Sequence, residues 1–202
     1  DRPETAAMPR SITAEVYRAK PIESFDTVVL RGDFADGAQF WYGATHANDA
    51  QDVTTFLYRF EKGEVRFNVD RQDDHMYAVF ADGRVEDYGN PQAFEELNCK
   101  LQTMLAVSGG GEAFLPCGVE TILPHLKVCN GLFMKAGIQN MDPALVFADS
   151  APQGWFVRGL SAGLSAAYDA VRLPSELGLP FAGQATTFSP GEITRFSGVR
   201  QR

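Results

Sequence analysis

Cysteine, histidine and positive charge are all scarce in this chain of 202 residues, and each scarcity removes a class of function. Three cysteines are too few and too scattered for a disulfide framework, and an odd number leaves one unpaired in any case. Reduced thiols in a cytoplasmic protein are the simplest expectation. Three histidines, with no CxxC or HxxxH spacing, do not supply the three or four protein ligands that zinc requires. Lys and Arg number 18 against 26 Asp and Glu, a formal net charge of −8. Without a basic run, that balance excludes nucleic acid as an expected partner, because phosphate binding needs clustered cations. No stretch approaches the roughly 18 apolar residues of a membrane span, so no membrane partner is expected either. The opening DRPETAAMPR contains no apolar segment of the signal-peptide kind. Since it begins at Asp1 and not at Met, the chain reads as a piece of something longer.

Apolar and aromatic residues, by contrast, are plentiful. Hydrophobic content of 45% with 15 phenylalanines implies a packed core and not a disordered tail. The length suits one substantial domain, expected over 1–202, with 1–10 and 183–202 irregular. From 11 to 89 apolar and polar residues alternate between short turns, which predicts strands near 12–20, 26–34, 38–47, 54–61, 64–70, 75–81 and 84–89. Ala35-Asp36-Gly37, Lys62-Gly63 and Ala81-Asp82-Gly83 read as hairpin turns, where Gly takes positive φ. Hairpins make neighbouring strands antiparallel. After Asn90 the period becomes helical, predicting helices over 91–107, 118–136 and 156–172 and a short one after Pro174. Strands followed by helices make an α+β pattern: an open, predominantly antiparallel sheet with helices on one face.

The segment LPCGVETILPHLKVCNG, 115–131, concentrates candidate chemistry. Cys117, Thr121, His125 and Cys129 recur every four residues and form a polar stripe on one helix. Cys117 and His125 would stand about 12 Å apart, too far for one ion. Only His125 and Cys129 are placed to share a metal, and no metal site is expected. Val119, Ile122, Leu126, Cys129 and Phe133 read as the buried face, with Glu120 solvated or capping. Gly109-Gly110-Gly111 follows a helix, and a dinucleotide loop would open one, so a helix terminus is the reading. His46 closes the third strand, suited either to the core or to a cleft. His75, beside Asp70, Asp73 and Asp74, reads as part of a solvated turn.

Three stretches taken together, EVYRAKPIESFDTVVLR (15–31) with ATHA (44–47), LPCGVETILPHLKVCNG, and WFVRGLSAGLSAAYDAVRLPSELGLPFA (155–182), resemble the C-terminal domain of the glucose–fructose oxidoreductase/inositol dehydrogenase (Gfo/Idh/MocA) family. The similarity spans about 11 to 182. Its most specific parts are Tyr17-Arg18-Ala19, Ile22, Phe25-Asp26-Thr27 and Pro174-Ser175-Glu176-Leu177-Gly178. The resemblance implies a glyceraldehyde-3-phosphate-dehydrogenase-like C-terminal domain that shapes a sugar-like substrate pocket and pairs subunits through its free sheet face. NAD or NADP would be bound by a Rossmann domain outside these residues. The family's glycine fingerprint, its Glu-Lys-Pro lysine and its Asp-x-x-x-His pair all belong upstream of the segment resembling residue 11. By itself the chain is therefore expected to bind no cofactor and to carry no catalytic residue. His46, His125, Arg18 and Tyr17 are the expected substrate-binding residues, and Asp26 is placed to pair with Arg18 and hold the first two strands in register. The competing reading is a non-catalytic binding or assembly module built on the same sheet.

Overall fold

The computed structural model describes residues 6–50, 54–69, 73–91, 96–110, 118–148 and 154–198. It is an α+β chain with mostly antiparallel sheets and, among the described residues, three α-helices. The chain divides into two compact units, 1–50 with 116–202 and 51–115.

The larger unit is built on strands β1 (Ser11–Arg18), β2 (Thr27–Asp33) and β3 (Gln39–Thr45). The β2–β3 hairpin turns at Ala35-Asp36-Gly37, where Gly37 has φ +90° and the Phe34 N–H donates to the Ala38 carbonyl at 2.9 Å. β11 (Thr186–Phe188) adds to the other side of β1, giving the order β11-β1-β2-β3. The two-residue β8 (Gln139–Asn140) pairs parallel with the end of β1, Arg18 opposite Asn140.

Both faces of this sheet are covered, which corrects the expectation of helices on one face. Ile12, Ala14 and Val16 pack with Val28, Leu30, Leu132, Ala136, Ile138 and Phe188, beneath α2 (Val119–Gly131) and the π-helical turn Leu132–Ala136 that continues it. Tyr17, on the opposite side of β1, packs with Ala47, Met141, Val157, Leu160 and Phe181. That second layer holds α3 (Leu160–Ala170) and the 3-10 turn Pro174–Leu177. Thr13, Glu15 and Tyr17 alternate with apolar residues and so look solvent-facing. Glu15 and Tyr17 are nevertheless buried, because their polar atoms are bonded inside the protein.

Two local expectations change for identifiable reasons. The helix expected over 156–172 starts only at Leu160, since Trp155–Val157 form strand β10 against β9 (Val146–Ala148). Aromatic and β-branched residues favour a pleated surface over a helix. In α2 the expected apolar face is rotated: Val119 is 76% exposed and Leu126 47%. Pro124, Gly131 and Leu132 are buried instead, with Val128 packed on the core. Gly131 lies directly against the Phe188 ring, which any Cβ there would overlap, while Ile122, Cys129 and Phe133 of the expected face stay half-buried.

The smaller unit holds a four-stranded antiparallel sheet, β4 (Phe56–Phe60), β5 (Gly63–Phe67), β6 (Met76–Phe80) and β7 (Val85–Asp87), in sequential order. Gly63 and Gly83 supply the positive φ of its first and last turns. Helix α1 (Glu96–Ser108) follows; residues 92–95 of the expected helix lie outside the described residues. Strand register places Phe56, Tyr58, Phe60, Val65, Phe67, Met76, Ala78 and Phe80 on one face of the sheet. Leu57, Arg59, Glu64, Arg66, Tyr77 and Val79 occupy the other.

Candidate functional site

The residues singled out by sequence sit mostly at one end of the larger sheet, where β1 and β3 finish and β2 begins. The Asp26 N–H donates to the Tyr17 carbonyl and the His46 N–H to the Asp26 carbonyl, at 3.1 and 2.8 Å, so the ladder runs one step past the strand ends. Arg18, Asp26 and His46 therefore share this edge, with Asn140 of β8 beside Arg18. His46 is exposed. Just inside, the Thr27 and Thr45 hydroxyls hydrogen-bond at 2.8 Å.

Arg18 is held firmly. Its Nε and Nη2 donate to Asn140 Oδ1 at 3.0 and 2.9 Å, and Nη1 donates to the Ile22 carbonyl at 3.0 Å. The expected Arg18–Asp26 pair does not form. Asp26 Oδ2 instead accepts the N–H groups of Ala19 and Lys20, each at 2.8 Å, and Oδ1 accepts the Thr27 hydroxyl at 3.0 Å. With three donors on it, the Asp26 carboxylate ties the end of the β1–β2 loop back to its start, a use that competes successfully with an ion pair.

Tyr17 lies beneath this edge, 1% exposed, and its hydroxyl is engaged within the fold. It donates to Glu15 Oε2 and accepts the Gly183 N–H at 3.1 Å. Burial, and then the hydrogen bond to the Glu15 carboxylate, raise its pKa far above that of an ordinary phenol. Its hydroxyl is thus committed to partners inside the fold. Glu15, fully buried, also accepts the Ser175 hydroxyl at 2.6 Å and the Ser175 N–H at 3.2 Å. A buried carboxylate short of donors would cost several kcal/mol, and these bonds offset that cost. Around it, Arg31 makes a two-pronged pair with Glu176 at 3.1 and 3.0 Å, and the Gln139 amide bonds both the Gln184 N–H and its carbonyl.

His125 belongs to the opposite layer, on α2, and is not gathered to this edge. Its Nε2 stands 3.5 Å from Cys129 Sγ. Burial raises the Cys129 pKa, so the thiol is a poor nucleophile. No group of three metal-ligating side chains occurs among the described residues, and Cys117 lies outside them. Gly109 and Gly110 close α1: their N–H groups return to the Leu105 and Val107 carbonyls, and Gly110 has φ +75°. Glycines spent on a helix C-terminus do not form the strand-to-helix cradle a dinucleotide needs, so these residues do not fit NAD or NADP.

Four residues at or near this edge escape sequence reasoning. Asn140 lies in a two-residue strand with no periodicity to announce it. Glu15 and Ser175 meet across 160 positions. Asp49 reaches 110 residues along the chain to cap α3, accepting the Gly159 and Ser161 N–H groups at 2.5 and 2.9 Å. His75 lies in the solvated turn expected of it, its N–H bonded to Asp73 Oδ1 at 3.2 Å, and its Nδ1 also stands 2.9 Å from both Asp87 oxygens, linking the start of β6 to β7. Comparison of the chain with protein-family models, curated proteins and solved structures returned no match.

Proposed function

We propose that this chain is the substrate-orienting and subunit-pairing domain of an NAD(P)-dependent oxidoreductase acting on a sugar, polyol or related hydroxyl compound. One observation carries the reading: the stretches on which the family resemblance rests interlock around β1. The first supplies β1 and β2, and the third lies across one face of them. Its Ser175 bonds Glu15, Glu176 bonds Arg31, and the Gly183 N–H, just beyond it, reaches Tyr17. The second packs Val128 on the other face. This interlock leaves a polar edge of Arg18, Asn140 and His46 on a rigid support, which suits a domain that holds hydroxyl groups in place. Nicotinamide binding and proton transfer belong, on this reading, to a domain outside these 202 residues.

Subunit pairing is assigned to the apolar face of the smaller sheet. Phe60 is 67% exposed and Tyr58 58%, and β4, β5 and β6 place no charged side chain on this face, which β7 borders with Glu86, paired to an Arg84 that lies over the Phe80 ring. A second copy related by a two-fold axis offers the same apolar strands. Trp41 and Phe67 are used internally: Trp41 Nε1 donates to the Arg172 carbonyl, and Phe67 stacks on Phe56.

The test is expression of the complete open reading frame that contains these residues, assayed for NAD⁺ and NADP⁺ reduction across a panel of sugars and polyols. Reduction by at least one is expected, together with a strand–GxGxxG–helix upstream. A reading frame that starts at this point, or a purified product with no nucleotide binding, supports the non-catalytic module instead. Light scattering at tens of micromolar, roughly where interfaces of ordinary size associate, is expected to show a dimer that Phe60→Asp converts to monomer.

A further inference from the structure

Resting on the reading of this domain as substrate-orienting, we infer that Arg18 recognises an oxyanion, so that the substrate is a carboxylated or phosphorylated sugar or polyol and not a neutral one. Arg31, Arg59 and Arg84 each face a glutamate. Arg18 is treated differently: its bonds run to an amide oxygen and a backbone carbonyl, both neutral. Those bonds fix the guanidinium plane without cancelling its charge. Asp26, the carboxylate expected to pair with Arg18, spends its oxygens on the Ala19 and Lys20 amides and the Thr27 hydroxyl.

Three of the five guanidinium N–H groups are taken, which leaves one on each terminal nitrogen. A planar fork that is already oriented binds a carboxylate or phosphate with little further loss of side-chain freedom. Such a device matters in a chain of net charge −8, which otherwise repels anions. The backbones of Arg18 and His46 are separated by two strand spacings, about 10 Å. Five- or six-carbon sugar acids have a comparable reach, so an anion on Arg18 places hydroxyl groups near the exposed imidazole.

Isothermal titration of the 202-residue chain with D-glucose, D-glucuronate and D-glucose 6-phosphate tests this. At least one anionic sugar is expected to bind about tenfold or more tighter than glucose, the margin of a charge-assisted bidentate contact. Which of the two does so identifies the anion as carboxylate or phosphate. Arg18→Gln is expected to bring that ligand down to the glucose level. Arg18→Lys keeps the charge but loses the fork, and should retain only part of the preference. Asn140→Ala leaves Arg18 in place but unsupported, and should weaken the anionic sugar severalfold more than it weakens glucose. This second variant keeps the test decisive if Arg18→Gln fails to fold. Equal affinity for glucose and both anions, or a preference that survives Arg18→Gln, overturns the inference while leaving the sugar-domain reading intact. Binding of none of the three also overturns it, and the reductase assay of the complete reading frame then judges the wider reading separately.

Discussion

Replacing Tyr17 with Phe removes a single oxygen from the centre of the larger unit and keeps the ring, which packs edge-on against Phe181 at 6.2 Å. Two consequences follow from the hydrogen-bond arrangement. Glu15 loses one of its donors, leaving only the Ser175 hydroxyl and N–H. A hydrogen bond to a charged group contributes about 1.5–3 kcal/mol. The Gly183 N–H, which now donates to the Tyr17 oxygen, is left facing an aromatic edge, and an orphaned donor costs about 1–3 kcal/mol. Together the expected loss is about 3–5 kcal/mol, a large fraction of the typical stability of a domain. Urea unfolding followed by tryptophan fluorescence reports on this unit, because both tryptophans, Trp41 and Trp155, belong to it. The double variant Tyr17→Phe/Glu15→Gln should lose less than the sum of the two single variants, since a neutral amide no longer demands the missing donor. A loss below about 1 kcal/mol for Tyr17→Phe, or strict additivity in the cycle, would show that the buried carboxylate is satisfied by something other than this hydroxyl.

Three more outcomes are expected. Val171, the C-cap of α3, has φ +53° and ψ +40°, a left-handed conformation that disfavours a β-branched side chain by about 1–2 kcal/mol; Val171→Gly should therefore raise stability by up to about 1 kcal/mol despite its greater unfolded-state freedom, and a lower urea midpoint would refute the strain argument. Gly131→Ala should destabilise by about 1–3 kcal/mol through overlap with the Phe188 ring, and Gly131→Ala/Phe188→Leu should recover part of that loss in the same assay. In the smaller unit, the hydrogen bond and charge of Asp87 raise the His75 pKa above its usual 6.5. The folded form then holds its proton more tightly than the unfolded one, so the pair's contribution is complete below about pH 6.5 and disappears as pH rises through the folded value. An NMR titration of the His75 ring should give a midpoint above 6.5 that falls toward it in Asp87→Asn, and a wild-type midpoint at or below 6.5 would contradict the pairing.

The strands and turns from 11 to 89 were legible in the linear chain because their cause is local. Alternation with period two places the strands, and glycines such as Gly37, Gly63 and Gly83 permit turns that other residues resist. The helices over 96–108 and 119–136 were legible for the same reason. The start of α3 was not: Trp155–Val157 pair with β9, and Asp49, 110 residues away, holds the N–H groups at the helix start. Nor was the buried side of α2, where the Phe188 ring fills the space above Gly131. Among the candidate residues, His46 could be placed at a strand end and Arg18 within the first strand from the alternation, whereas the Asn140 that orients Arg18 comes from a segment with no pattern of its own.

Residue order settles what one or two turns of chain can settle: which segments extend, which coil, and where the backbone reverses. Folding in three dimensions decided which charges find partners. Glu15 finds its Ser175 partner from 160 positions away, and Asp26 reads as a partner for Arg18 until the amides of Ala19 and Lys20 claim it. The physical reason is that hydrogen bonds act over about 3 Å, so what a polar side chain does depends on neighbours whose proximity no local pattern encodes.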